Sequence, residues 1–278
     1  QDGKANPGSR FSASVNMSSN GYDRNNSYEV ADHVTTTRQS SINYSKSWAG
    51  TPISFSTSLN QSQNVQNKTM VLNLPKGSFN VSRIYPFKPR KPVAKARWYH
   101  DLTTQYSATF ENKIDTYDSL LFTSAVWKSM KNGFKHEVPL SFQIRPFNNF
   151  SISPSLRYTG VLYTQQIHKR WDPDYYDESR NMVVPSVVND TIRGLTYGQA
   201  LVPALSAAFN PSVYGTFTFT KKGSRVESIR HVMKPSIGFS YSPEADWLTS
   251  DMFDSVQYNL DGKMREYSIY EGSIYGTP

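Results

Sequence analysis

Apolar and polar residues alternate one for one along most of this chain. Ile53, Phe55, Thr57 and Leu59 fall on one side of an extended run, and Ser54, Ser56, Ser58 and Asn60 fall on the other. That is the period of a strand whose two faces meet different surroundings. Just upstream, Ile42, Tyr44 and Trp48 oppose Ser41, Asn43, Ser45 and Ser47, and Ala49-Gly50-Thr51-Pro52 carries the residues of a tight hairpin turn. The pattern recurs at Phe11, Ala13, Val15 and Met17, at Leu102, Tyr106, Ala108 and Phe110, at Val138, Leu140, Phe142 and Ile144, and at Phe150, Ile152, Leu156 and Tyr158. It continues through Leu205, Ala207, Phe209, Val213, Phe217 and Phe219, and then through Ile229, Ile237, Phe239 and Tyr241.

These runs predict about ten strands, at 9–18, 36–48, 52–63, 68–85, 100–114, 133–146, 150–163, 198–220, 229–242 and 266–276. Most exceed the roughly 5–6 residues usual in a soluble sheet and match the roughly 9–11 tilted residues that cross a bilayer. The expected fold class is all-β, an antiparallel transmembrane β-barrel. Links at 19–35, 64–67, 115–132, 164–197 and 243–265 would lie on an outer rim, and those at 49–51, 86–99, 147–149 and 221–228 on a periplasmic rim, where barrel turns are short. The short 64–67 and the long, basic 86–99 depart from that alternation. A short helix is expected within 115–132, capped by Asp118, striped by Leu120, Leu121, Trp127 and Met130, and ended by Gly133. Prolines at 75, 139, 154, 203 and 235 fall inside predicted strands, where each removes a ladder donor and ordinarily argues against a strand, although a large barrel can absorb such defects at bulges.

Composition sharpens this picture. Only 37% of residues are apolar and 19% charged, yet 14% are aromatic, so Ser, Thr, Asn and Gln supply most of the polarity. Small neutral polar residues suit a water-filled lumen better than the Lys- and Glu-rich face of a soluble sheet. Mean hydropathy is −0.58, and no run approaches the roughly 18 apolar residues of a spanning helix. Nothing marks a boundary, so residues 1–278 read as one unit. Gln1-Asp2-Gly3-Lys4 lacks the regions of a signal peptide, and Tyr275-Gly276-Thr277-Pro278 follows directly on a strand-like run. An internal segment of a longer protein is therefore expected.

The formal charge of +8 allows an anionic partner without naming it. With no cysteine, these residues offer no disulfide, thiolate metal site or cysteine nucleophile. His33, His100, His136, His168 and His231 lack the spacing of a metal site or a triad, and no nucleophile elbow, phosphate loop or HExxH helix occurs. No catalytic residue, metal ligand or cofactor is expected. The acidic stretch Trp171–Glu178 reads as a solvated loop before it reads as a cation site.

Lys88–Arg97 is a basic run followed by Trp98-Tyr99. It invites a phosphate-binding reading, and the aromatic pair a base-stacking one. The favoured reading is an interfacial aromatic girdle comprising Trp48, Tyr85, Phe87, Trp98, Tyr99, Phe147 and Tyr163, with no nucleic-acid partner. If the apolar faces meet lipid, Lys135, Arg145, Arg157, Arg230 and Lys234 line the lumen. Such a lining suits phosphorylated lipid or core sugars, and equally an ordinary porin-like eyelet.

The order of several motifs carries a resemblance. The run Ile229-Arg230-His231-Val232-Met233-Lys234-Pro235-Ser236-Ile237-Gly238-Phe239-Ser240-Tyr241 resembles a barrel strand of the LptD family, particularly its Bacteroidetes form. Leu74-Pro75 before Ser78-Phe79-Asn80-Val81, Val138-Pro139-Leu140 with Ile152-Ser153-Pro154, Val202-Pro203, and Tyr267-Ser268-Ile269-Tyr270-Glu271-Gly272 fit the same family. The resemblance implies an open arc from the middle of a larger barrel, without the periplasmic jellyroll and the terminal barrel strands. It implies a Gram-negative outer-membrane wall for lipopolysaccharide, flanked by outer-membrane lipid, with a plug lipoprotein, LptE, in the lumen and a periplasmic bridge, LptA, docking on the absent jellyroll. The rival readings are a porin or TonB-dependent receptor, and a secreted β-rich adhesin or glycan-binding module.

Overall fold

The computed structural model describes residues 8–16, 37–91, 97–219, 228–243 and 250–278. The predicted link 19–35, His33, Met17, the middle of the basic run and most of the 221–228 link lie outside the described residues. Ten strands form one antiparallel sheet: β1 (Ser9–Ser14), β2 (Thr37–Ser47), β3 (Ile53–Asn64), β4 (Thr69–Ile84), β5 (Thr103–Tyr117), β6 (Lys131–Ser141), β7 (Ile144–Phe147), β8 (Phe150–Asp172), β11 (Ser186–Phe209) and β14 (Ile237–Tyr241). Neighbours follow chain order from β1 to β6, then β8, β11 and β14, with β7 on β8. The sheet is all-β and antiparallel, as the alternation predicts, and it forms an open arc, as the resemblance implies.

Residues paired across an antiparallel ladder share a face, and the register makes the two faces continuous. One carries Phe55 with Phe79, Phe110 with Phe134, and Leu162 with Tyr197. The other carries Ser45 with Ser56, Ser56 with Ser78, and Glu137 with Thr159. On β8 the apolar face runs from Phe150 to Leu162 and then turns polar, where Thr164 bonds Asn132. At about 3.3 Å per residue and a tilt of about 40°, that band spans roughly 30 Å, the thickness of a hydrocarbon core. Large side chains stay bare on this face, including Leu205, Phe239 and Ile237. One lysine intrudes: Lys46, opposite Phe55, bends its ammonium to 5.3 Å from the Trp48 ring beside the turn, keeping charge off the lipid band.

Turn chemistry fixes the first rim. Thr51 N–H donates to Trp48 O at 3.1 Å, and Gly50 takes φ +75°, a conformation a side chain would oppose. Asn148-Asn149 closes β7 on β8 in the same way, with Asn149 at φ 67°.

Each of the five prolines has its missing donor where the ladder is already interrupted. Pro75 lies in the register shift between Asn73 and Lys76, and Pro139 in the gap between Ser107↔Glu137 and Thr104↔Leu140. A strand residue points its N–H and C=O the same way. Pro154 O accepts from Phe142 N at the break between β6 and β7, and Pro203 O accepts from Ser242 Oγ where β14 has ended, so neither absent N–H leaves a partner orphaned. Pro235 falls in the break after β13 (Ser228–Met233), which pairs with β12 (Val213–Thr218). The β12–β13 ribbon continues the β11–β14 register, so Pro211 and Pro235 stand opposite each other in the interruption.

Several boundaries move. The predicted outer link 164–197 is mostly strand, because β8 runs on to Asp172 and β11 starts at Ser186. Their extensions carry polar residues on both faces, and Arg170 Nε donates across the ladder to Asp190 Oδ2 at 3.0 Å. Only 173–185 remains as link, bearing a minimal hairpin, β9 (Tyr176–Asp177) with β10 (Met182–Val183). The helix α1 (Ser124–Lys128) is a single turn; Asp118 opens a separate 3-10 turn, and Gly133 lies in β6. Val126 of α1 packs on Met70, Leu72 and Ile114 above the apolar band. The strand expected at 266–276 is not in the sheet: β16 (Met264–Ser268) pairs only with β15 (Phe253–Gln257).

Candidate functional site

The polar face of the arc is the surface with chemistry. Its left half, from β2 to β5, is a lawn of small groups, with Ser56 Oγ and Ser78 Oγ 2.9 Å apart and Lys76 paired to Glu111 at 3.0 Å. Residues Ser45, Ser56, Ser58, Thr109 and Glu111 enclose a hollow of about 410 Å³.

Across the upper right half the 250–278 segment folds back onto this face. Tyr270 and Tyr163, both 1% exposed, pack at a tilt of 48° with ring centroids 5.0 Å apart, and Met252 and Val161 complete the cluster. Small residues make the room: a Cβ on Gly198 would lie 2.6 Å from Tyr270, and one on Gly133 3.2 Å from Tyr275. Tyr163 Oη donates to Gly276 O at 2.7 Å, Lys131 Nζ to Gly272 O at 2.9 Å, and Ile167 N to Ile269 O at 2.8 Å. Lys169 binds Glu271 at 2.6 Å, and Tyr267 Oη donates to Asp254 while accepting from Lys169 N. Burial first of all raises the Tyr267 and Tyr275 phenols above their ordinary range, so both remain protonated at physiological pH.

Near the short-turn rim the same face holds a cleft of about 630 Å³. A register shift between Val81 and Ile84 builds it: Ile84 pairs with Thr104 on the apolar face, which turns Arg83 inward. Arg83, Arg97, Arg145, Trp98 and Phe142 line it, with Asp101 as its carboxylate. Trp98 and Phe142 sit 5.3 Å apart. Arg97 donates to Tyr99 Oη at 3.1 Å and Arg145 to Gln143 Oε1 at 2.8 Å. These partners are neutral, so neither bond offsets a guanidinium charge. Among the described residues no ion pair ties any of the three arginines to a carboxylate.

The sequence-predicted residues divide accordingly. Lys135, Arg145 and Arg157 lie on the polar face, Lys135 paired with Glu137 at 2.9 Å. Arg230 and Lys234 do not join them. Arg230 lies on the β12–β13 ribbon beyond the Asn148-Asn149 turn, its guanidinium 4.5 Å from the Tyr214 ring, and Lys234 is in the break beside it. Trp48, Tyr85, Phe87 and Phe147 are exposed near the short-turn rim, and Tyr99 packs edge-on to Phe87 at 6.3 Å. Trp98, also exposed, faces the arginine cleft. Tyr163, expected with these aromatics, is instead on the polar face under Tyr270, because it pairs with Gly133 and Thr196 rather than with the outward row.

Sequence reasoning missed an outward cluster at the other rim. Tyr197 Oη lies 2.5 Å from Tyr158 Oη and 3.1 Å from His136 Nε2, over Gly160. Its signal was a set of polar aromatics at apolar parity about ten residues from the turn. Arg83 was hidden for the opposite reason, since its parity is correct only after the register shift. The acidic loop uses its carboxylates locally: Asp172 takes Arg170, and Asp177 takes Arg180 and Ser179, whose hydroxyl is the main cause that lowers the Asp177 pKa.

The comparisons with known proteins follow this geometry. No curated protein and no solved structure matches the chain. A family model described as LptD protein matches residues 1–278, the whole of it. That family acts in lipopolysaccharide transport at the outer membrane, which agrees with a sheet bare on one face and hydroxyl-lined on the other. By that match this chain belongs to the LptD protein family.

Proposed function

We propose that this arc is the wall of an outer-membrane translocon that passes lipopolysaccharide to the outer leaflet without making or breaking a bond. The observation that carries it is the two-faced register: an apolar band about as tall as a hydrocarbon core backs a surface of Ser, Thr and Asn hydroxyls and amides. Lipid covers the first face, while sugars travel along the second, exchanging hydrogen bonds with groups that water can replace. The short-turn rim faces the periplasm, and residues 1–278 form part of one barrel domain. Trp48, Phe87 and Phe147 serve as its lower girdle. Lys135, Arg145 and Arg157 bias the lumen toward anionic groups, and Arg230 and Lys234 extend that bias below the rim. A plug lipoprotein, LptE, fills the lumen, and a bridge, LptA, docks on a preceding jellyroll.

Photo-crosslinking residues placed at Asn43 and Arg157 of the full-length protein in cells test this. Both are expected to capture lipopolysaccharide during transport; capture at neither removes the conduit.

A further inference from the structure

We propose that the cleft of Arg83, Arg97, Arg145, Trp98 and Phe142 is a binding site for the phosphorylated sugar headgroup of the transported glycolipid, held at the lower rim before it ascends. The inference rests on the translocon reading above and adds a place and a ligand chemistry to it. Three arginines line one hollow, and planar, always-charged guanidinium groups match phosphate oxygens in pairs of hydrogen bonds. Two of them are braced by neutral atoms, Tyr99 Oη and Gln143 Oε1, which orient the fork without cancelling its charge. The walls are mixed. Trp98 and Phe142 offer an apolar flank beside the cations, and Thr103 Oγ1 and Ser141 Oγ, 2.8 Å apart, offer a hydroxyl floor. A bare anion needs no aromatic flank, and an acyl chain needs no arginines; a phosphorylated sugar on a lipid uses both.

The register shift and the long 85–102 link gain a reason. The shift turns Arg83 inward, and the link brings Trp98, on a 3-10 turn at Trp98–Asp101, and Arg97, which caps that turn, to the same space. The basic run thus ends at a built cleft.

The test uses the full-length protein with its plug partner in nanodiscs, titrated with bisphosphorylated lipid A and with the same lipid after phosphatase treatment. Inorganic phosphate is the competitor. Changing Arg83, Arg97 and Arg145 together to Gln is expected to weaken binding of the phosphorylated lipid at least about ten-fold and to leave the dephosphorylated lipid unchanged. The matching Lys set, which keeps charge and loses the fork, is expected to fall between. An unchanged affinity, or an equal loss for both lipids, overturns the proposal, as does displacement of the lipid by equimolar inorganic phosphate, which marks a free-phosphate site. All three arginines are solvent-exposed, and heat-modifiable migration on gels confirms that the variants fold. If the Gln variants bind like wild type while the Asn43 crosslinker still captures lipopolysaccharide, the cleft fails alone. Capture at no position brings down the translocon reading with it.

Discussion

Strand β8 presents two unlike surfaces over the same residues. Outward, Phe150, Ile152, Leu156 and Leu162 stand in a row of apolar partners drawn from β6 and β11; inward, Ser151, Ser153, Ser155 and Arg157 face partners such as Ser141 and Ser206. The inward face first becomes apolar at Val161 and Tyr163, where the returning 250–278 segment covers it. The lesson is that burial here does not mark a central core. It marks places where one piece of chain lies on a wall, and the wall's own outward face remains bare for lipid.

The largest expected effect comes from exchanging the two faces. Phe55 faces outward beside Phe79, and Ser56 faces inward with its hydroxyl against Ser78. Leu59, further from the turn on the same outward row and opposite Ile42, is the midplane position: Leu59→Arg is expected to destabilise the membrane-folded protein by about 2–4 kcal/mol, whereas Ser56→Arg stays in water and changes little. Unfolding titrations in lipid vesicles measure the difference, and equal costs would show that the faces are wrongly assigned.

The contrast between the faces was legible in the sequence because it is local: parity within one strand needs no partner. Strands β2 to β4 therefore fall within a residue or so of expectation. What depends on a partner was not legible. The extensions of β8 and β11 carry Gln165, Gln166, Lys169 and Asn189, polar on either face, so alternation vanishes while pairing continues. Residues 266–276 gave the reverse error. Tyr267, Ile269 and Tyr270 look like another wall strand, but their apolar side chains are spent on the inner face of β8. Arg83 and the inward arginine cleft waited on a register shift, which only the neighbouring strand defines.

The second effect separates the returning segment from the wall. A side chain at Gly198 would meet Tyr270 and Met252 at 2.6 and 2.7 Å, so Gly198→Leu is expected to cost about 1–3 kcal/mol through overpacking and to expel the segment while leaving the sheet intact. Protease cutting at the exposed 258–263 turn should rise with no change in membrane insertion. A linked loss of both would mean that the segment and the wall fold as one unit.

Tyr163→Phe is milder. It keeps the ring packed against Tyr270 and removes only the hydroxyl that donates to Gly276 O at 2.7 Å, a change expected to loosen the end of the segment by about 1 kcal/mol. Hydrogen exchange at residues 275–277 reads it, and protection equal to wild type would place the attachment in ring packing alone.

The smallest effect is expected at the ion pair of Lys169 with Glu271. At 2.6 Å the contact is short, and the lysine side chain is 15% exposed, but the glutamate is 55% exposed. Water therefore screens one end, and the pair is worth at most about 1 kcal/mol. Lys169→Gln should raise cutting at the 258–263 turn slightly in low salt. In about 1 M salt, where the screening length falls to roughly 3 Å, wild type and variant should converge. The backbone N–H of Lys169 still donates to Tyr267 Oη in the variant, so a large salt-independent loss would show that the ammonium's contact with the Tyr267 ring, 5.2 Å from its centroid, holds the segment rather than the pairing with Glu271.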